Sequence, residues 1–343
     1  MWGAYCRAKR NHENSTEMGI MMKETTPQID VVIPVYRPDY SFPDLIKRLM
    51  QQTILPHHIY ILQTIEKEGD KLIQAEDERV SVHPVLKKDF DHGGTRHYGA
   101  VLAAEGVREQ DGRQSYLLCM TQDAVPVDRE LFAQLLKPFA DTNTAVSFAR
   151  QLAGEDADIL EKLTRIHNYP PQDAIKKKDD LDRLGIKTYF CSDVCAMYRQ
   201  DVYQELGGFV RPTIFNEDMI MASKVIGAGY QVAYCSQAKV IHSHCYTCMQ
   251  QFHRNFDLGV SQAQYREVFE SISSEKEGAG YAKKVLLYLI KRCRFVKAFY
   301  FALQCAFKLL GFKMGKNFAR LPRRLVLACT TNPDYALFHM IGK

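Results

Sequence analysis

Between Ile29 and Ala149 short apolar runs alternate with helix-patterned segments. The runs are IDVVIPVY (Ile29 to Tyr36), HIYILQT (His58 to Thr64), VSVHPV (Val80 to Val85), YLLCM (Tyr116 to Met120) and AVSFA (Ala145 to Ala149). Such runs suit strands buried on both faces, as in a mostly parallel sheet. Helical segments are predicted from about Phe42 to Gln52, just before Val80, from the glycine loop DFDHGGTR (Asp89 to Arg96) through Val107, and from about Arg129 to Ala140. This alternation predicts an α/β fold, a sheet wound on both faces by helices. After Arg150 the rhythm changes to a polar stretch, a strand-like KTYFCSD (Lys187 to Asp193) and the turn ELGGFV. NEDM (Asn216 to Met219) then opens a helix that ends at Gly227; strand-like YQVAYC and KVIHSH and a helix from about Tyr246 follow.

Strands of this class place ligands outside their carboxyl ends. Asp123, in TQDAVP, sits just past one such end. Its carboxylate there can hold a metal, accept a proton or cap the next helix. The glycine pair in DHGGTR can be a plain turn, Glu217 and Asp218 can complement a helix dipole, and His242 and His244 can be a hydrogen-bonded pair on one strand face. CYTC, with Cys191 and Cys195, offers a zinc alternative, but compact paired ligand spacing is missing. Ten scattered cysteines without a dense framework, and a polar start without a signal-peptide core, point to a reducing cytoplasm. Met18, Met21 or Met22 could serve as the start.

Taken in order, DVVIPVYRP, FDHGGTRHYGA, TQDAVP, KTYFCSDVCAMYRQDVYQELGGF, NEDM, KVIHSH and QQFHRNFDLGV resemble the family 2 glycosyltransferases of the GT-A fold. TQDA with DHGGTR is similar to the bacterial rhamnosyltransferase branch. The resemblance runs from about Asp30 to Gln262. It implies a GT-A nucleotide-diphospho-sugar transferase fold with a Rossmann-like mixed sheet, and inverting transfer of a sugar, L-rhamnose from dTDP-L-rhamnose, to a lipid-linked cell-surface polysaccharide. Another nucleotide sugar, or a catalytically silent scaffold binding glycan or membrane, are the alternatives. Asp123 corresponds to the last acid of the family's Asp-X-Asp motif, with Thr121 at the first position. It implies Mg²⁺ or Mn²⁺ held by Asp123 with His242 or His244, because such ions neutralise a departing diphosphate. Asp218 matches the general base, with Glu217 as its neighbour and alternative. Pro34, Tyr36, Thr64, His92, Gly93, Gly94, Arg96, Gln122 and Arg254 would bind the donor, and Ser192 and Asp193 the acceptor. Arg254 lies in a version of Gln-X-X-Arg-Trp that carries Asn255 in place of Trp.

The net charge of +5 hides an uneven distribution: no Asp or Glu occurs between Tyr281 and Pro333, where Lys and Arg are frequent. On one helical wheel Lys284, Lys291, Arg294, Lys297 and Lys308 fall broadly together, opposite Leu, Phe and Tyr. Such a segment suits an anionic membrane surface, at the inner face of the cell membrane, or packing on the catalytic core. The aromatics sit in apolar runs, not on a basic platform, which argues against nucleic acid. No uncharged run approaches the roughly 20 residues of a membrane span. The expected organisation is an unstructured extension over 1–28, a glycosyltransferase domain over 29–265 and a basic amphipathic helical region over 266–343.

Overall fold

The computed structural model describes residues 26–106, 113–269 and 275–341. The expectation for most of the first 28 residues, and Val107 at the end of its predicted helix, lie outside this range.

Nine strands form one sheet: β1 (Gln28–Val35), β2 (His58–Ile65), β3 (Val80–Leu86), β4 (Ser115–Met120), β5 (Val125–Pro126), β6 (Thr144–Leu152), β7 (Ala174–Lys176), β8 (Cys195–Arg199) and β9 (Gln231–Ile241). Their order is β3-β2-β1-β4-β8-β6-β9-β5, with β7 on the side of β9. The β3-β2-β1-β4 half is parallel, as expected for strands with apolar residues on both faces. β8 is antiparallel to both β4 and β6, while β6 and β9 are parallel, so the sheet is mixed. One face is covered by α1 (Phe42–Leu49) and α3 (Leu131–Leu136), whose Leu45, Leu49 and Phe132 pack with Ile33 and Met120. The other face carries α2 (His92–Glu105) and, after the ten-residue α4 (Ile159–Asn168) and the short α5 (Leu181–Leu184) along the chain, α6 (Gln200–Glu205) and α7 (Glu217–Gly227). Ala100, Val202 and Val225 there bury with Val32, Phe148 and Tyr198.

Three expectations are corrected. Among the described residues no helix lies between β2 and β3. Instead, Asp70 accepts from the backbone N–H groups of Glu66 and Lys67, and Gln63 accepts from that of Ile73, so side chains take donors a helix would have used. KTYFCSD is not a strand: residues up to Tyr189 form a 3₁₀ turn, and the strand begins only at Cys195. YQVAYC and KVIHSH are one strand, β9, whose register against β6 jumps between Cys235 and Lys239.

The C-terminal third is helical: α8 (Cys248–Gln264), α9 (Arg266–Phe269), α10 (Glu275–Lys291), α11 (Phe295–Lys316), α12 (Arg323–Cys329) and α13 (Pro333–Tyr335). The turn at Arg292 to Arg294 breaks the run into α10 and α11, and Val285 and Leu289 fold onto Ala298 and Phe301. The single helical wheel therefore does not hold. Lys297 pairs with Asp158, whereas Lys308 turns inward toward α8. α11 lies on α8 with almost no spacing: a Cβ at Gly315 would stand 1.9 Å from the Phe256 carbonyl oxygen, and one at Gly311 2.2 Å from that of Phe252. Small residues four apart permit such backbone approach, and Gly311 and Gly315 supply them. Asp257 of α8 ties down the segment beyond α12 by accepting from Thr330 Oγ1 (2.7 Å) and the Thr331 N–H (2.8 Å). By length and composition α11 could also cross a membrane, which departs from the sequence expectation; lysines interrupt its apolar run, so counting uncharged residues missed it.

Candidate active site

The carboxyl ends of β1, β2 and β4 open into a cleft of about 730 Å³. Each strand contributes the residue that its termination leaves exposed there: Pro34 and Tyr36 from β1, Thr64 from β2, Gln122 and Asp123 after β4. The Gln122 side chain accepts from the Tyr36 N–H (2.7 Å) and donates to the Tyr36 carbonyl (3.2 Å). It thus clamps the ends of β1 and β4 together, which leaves Asp123 as the carboxylate of the TQD turn free to face inward. Tyr36 is itself fixed by its hydroxyl, which donates to Glu66 (2.6 Å), a carboxylate shared with Arg37 and Lys87. Thr64 Oγ1 is buried without a partner among the described residues.

On the β9 side, His242 and His244 converge on Asp123. His242 Nε2 lies 3.5 Å from Asp123 Oδ1, His244 Nε2 lies 3.0 Å from Oδ2, and the two ring nitrogens are 2.8 Å apart. All three donor atoms lie within 4.8 Å of one another, a set that could hold a metal ion. His242 and His244 both lie just past the end of β9, where the His242 N–H still donates to the Leu152 carbonyl (3.0 Å). Gln151 Oε1 lies 3.0 Å from His242 Nδ1 and also accepts from Arg165, which holds the ring with Nε2 toward Asp123. Burial lowers the His242 pKa and keeps the ring neutral, the form that ligates. Burial alone would raise Asp123, but the hydrogen bonds to His242 and His244 outweigh it and hold the carboxyl well below its ordinary range.

Opposite chemistry gathers at the start of α7. Asn216 adopts a left-handed φ of 64°, which amide-bearing residues tolerate, and this turn sets Glu217 and Asp218 on the first helical residues. Glu217 is buried and salt-bridged to Arg96 Nη1 at 2.9 Å. Arg96 Nε lies 3.5 Å from Asp193 Oδ2, and the Tyr198 hydroxyl donates to Asp193 Oδ1 at 2.5 Å. Asp218 is partly buried and accepts from the Asp193 N–H (3.2 Å) and the Met219 N–H (2.7 Å). One guanidinium thus pairs with two carboxylates, and Asp218 stands beside them. Burial first, and then the charge of Glu217, push Asp218 up to about 7. Asp193 is raised as well, by burial before anything else.

The structure therefore brings Asp123, His242, His244, Glu217, Asp218, Ser192, His92, Arg96 and Arg254 to the same cleft as the strand-end residues. Two sequence expectations fare differently. Gly93 and Gly94 do not line the cleft: a Cβ at Gly93 would meet the Val210 carbonyl at 2.0 Å, and one at Gly94 the Asp91 carboxylate at 2.2 Å. Gly93 makes room for the Val210 carbonyl, and Gly94 is small so that Asp91 can cap α2, accepting from Gly94 N–H (2.7 Å) and from Thr213 N–H (3.0 Å). Asp193 and Arg96 border the cleft but bury their charges against each other and Glu217, so they brace the wall more than they present groups to a ligand.

Arg254 is held over the rings of Tyr246 (4.8 Å) and Phe215 (5.1 Å). Asn255, where Trp was expected, donates back to the Gln251 carbonyl at 2.7 Å. Tyr246 and Phe215 supply the aromatic support instead. Sequence reading missed these two residues together with Tyr198, Gln151 and Arg165. None carries a local signal; each acts through a partner far along the chain.

No family model matches the chain. Over 297 residues it is 36% identical to the O-antigen chain rhamnosyltransferase RfbN of Salmonella typhimurium, spanning 86% of this chain and 91% of that one. It is 33% identical over 299 residues to the O-antigen chain rhamnosyltransferase WbaN of Salmonella anatum, with the same shares covered. Among solved structures, it overlaps loosely with a mannosyltransferase of Pyrobaculum calidifontis crystallised with GDP-Man and Mn²⁺ (TM-score 0.49, 10% identity, 92% of this chain and 79% of that one). A similar loose overlap exists with residues 1–349 of S. aureus TarS (TM-score 0.45, 10% identity, 85% and 91%). With a strand-end cleft, a carboxylate base candidate and an Asp-His-His cluster in one cavity, and 36% identity to RfbN over 297 residues, the chain belongs to the family of O-antigen chain rhamnosyltransferases and is a glycosyltransferase.

Proposed function

We propose that the protein transfers L-rhamnose from dTDP-L-rhamnose to a lipid-linked cell-surface polysaccharide, with inversion, and that residues 29–265 carry the catalytic site. The observation that carries this reading is the convergence of Asp218 and the Asp123–His242–His244 cluster on one cleft. Asp123, His242 and His244 would hold Mn²⁺ or Mg²⁺; two imidazoles beside one carboxylate suit Mn²⁺ better, since Mg²⁺ prefers oxygen ligands. Such a cation would supply charge neutralisation for the departing diphosphate. Arg254 would orient that diphosphate from the other side through its fixed guanidinium. Tyr36, Pro34 and the unpaired Thr64 hydroxyl would receive the base. Asp218 takes the proton from the acceptor hydroxyl as its oxygen bonds to the anomeric carbon. The bond from that carbon to the diphosphate oxygen breaks, and its electron pair leaves with the nucleotide. Glu217 is committed to Arg96, so it keeps the start of α7 in place, and Ser192 borders the acceptor side.

Sugar-nucleotide hydrolysis and transfer, followed with Mn²⁺ across dTDP-, UDP- and GDP-sugars, tests the donor. dTDP-L-rhamnose is expected to turn over fastest. Faster turnover of a UDP- or GDP-sugar would replace the donor assignment while leaving the transferase.

The exposed Phe295, Val296, Phe299, Leu309 and Leu310 of α11, in a segment without acids, support a seat on the inner face of an anionic membrane. Apolar burial adds there to roughly 1 kcal/mol per basic residue near the surface. Deleting the helices is a poor test, because α11 covers the Phe256 side of α8. Val296→Asp with Phe299→Asp is expected instead to abolish co-sedimentation with anionic vesicles while the fold persists. Wild-type protein that stays in the supernatant with such vesicles would sink the membrane assignment.

A further inference from the structure

A second cavity of about 610 Å³ adjoins the cleft, lying between α4, α8 and α11 and sharing His244, Tyr246 and Arg254 with it. Its acids are already engaged. Asp158 pairs with Lys297, and Glu161 accepts from Ser243 Oγ (2.9 Å) and the His244 N–H (2.8 Å). Of its cations Arg165 is engaged as well, by Gln151 and Glu161, but two are not. Arg254 and Lys308 both line it, and no carboxylate among the described residues pairs with either. Burial lowers the Lys308 pKa, and the nearby charge of Arg254 adds to this. Two neighbouring cations, half-buried and repelling one another, gain most from an anion placed between them.

The helix that carries Lys308 adds a second feature. Tyr300, Gln304 and Lys308 recur every four residues and form the stripe that lines the cavity. Beside that stripe, Val296, Phe299, Leu303 and Leu310 are exposed and apolar. A charged pocket is thus bordered by a solvent-facing apolar strip on one helix.

We propose that Arg254 and Lys308 form an anion site on the α11 side of the cleft for the phosphate of an amphiphilic acceptor, whose apolar chain lies along the adjoining strip of α11. This rests on the transferase reading, since the site adjoins the cleft at Arg254 and would set the acceptor's phosphate end beside the donor. A phosphate could equally come from the donor's diphosphate, so the test separates the two sources. Farnesyl diphosphate, farnesol, and thymidine diphosphate with Mn²⁺ are titrated calorimetrically into wild type, Lys308→Ala and Lys308→Arg, with thermal melts confirming the fold. Wild type is expected to bind farnesyl diphosphate well above farnesol. Lys308→Ala is expected to lose about tenfold or more of that affinity, the scale of one charge-assisted contact. Lys308→Arg should recover most of it, and thymidine diphosphate should bind all three proteins alike. Equal binding of farnesol and farnesyl diphosphate would remove the anion site. A loss in Lys308→Ala confined to thymidine diphosphate would assign both cations to the donor and overturn the proposal. Wild type that binds thymidine diphosphate but not farnesyl diphosphate would overturn it too. Wild type that fails to bind thymidine diphosphate would remove the dTDP donor assignment, while the acceptor site would still stand or fall on farnesyl diphosphate.

Discussion

Asp218→Asn is expected to cut sugar transfer by about 10²–10⁴-fold, the usual contribution of a general base, while thymidine diphosphate still binds with Mn²⁺. The amide keeps the shape of the carboxylate and can still accept from the Asp193 N–H, so the wall around Arg96 should hold. What it cannot do is take a proton. The pH profile supplies an independent check. Burial and the charge of Glu217 raise Asp218 to about 7, and the base works only when deprotonated. Wild-type kcat/KM should therefore fall as pH drops through about 7 and level off above it. In Asp218→Asn the residual rate should lose that acid limb. Wild-type turnover in the mutant, or an acid limb that survives the substitution, would move the base to another residue.

Asp123→Ala should have the next largest effect, on metal-dependent nucleotide binding. The carboxylate lies between His242 and His244 and is the oxygen donor of the cluster. Loss of a supporting second-layer partner at a metal site typically costs about 10–100-fold in affinity, and loss of a ligand itself should exceed that. Gln151→Ala sets the scale within the same protein, since Gln151 fixes the His242 ring without contributing a ligand. Calorimetry of thymidine diphosphate with and without Mn²⁺ measures both. Metal-dependent affinity that is undiminished in Asp123→Ala would take the carboxylate out of the metal site. A preference for Mn²⁺ over Mg²⁺ is expected, from the two imidazoles; equal or reversed preference would mean that one histidine does not ligate.

The division between what could be read in advance and what could not follows the range of the interactions. β1, β2, β4 and β6 were legible because strands buried on both faces carry continuous apolar runs, a property of each segment alone. Asp123, Asp218, His242 and His244 were legible for a related reason: they sit at strand or helix ends, whose signals are local, and the resemblance ordered them. The short β8 was not, since its place between β4 and β6 is decided by partners some eighty and fifty residues away, and nothing in CAMYR distinguishes an antiparallel insertion from a loop. Arg96 shows the limit most clearly. Its sequence, after two glycines at a helix start, suggested a hand on the donor's phosphates. Only the folded chain brings Glu217 and Asp193 against it, from positions about 120 and 100 residues downstream, and burial in that wall, followed by the charge of Glu217, then raises the proton affinity of Asp218. Lys308 likewise looked like part of an outward basic stripe until the turn at Arg292 to Arg294 and the glycine contact of α11 with α8 turned it inward. Element type is written in short-range periodicity, whereas charge environment depends on which distant segments share a wall, and that is settled by packing alone.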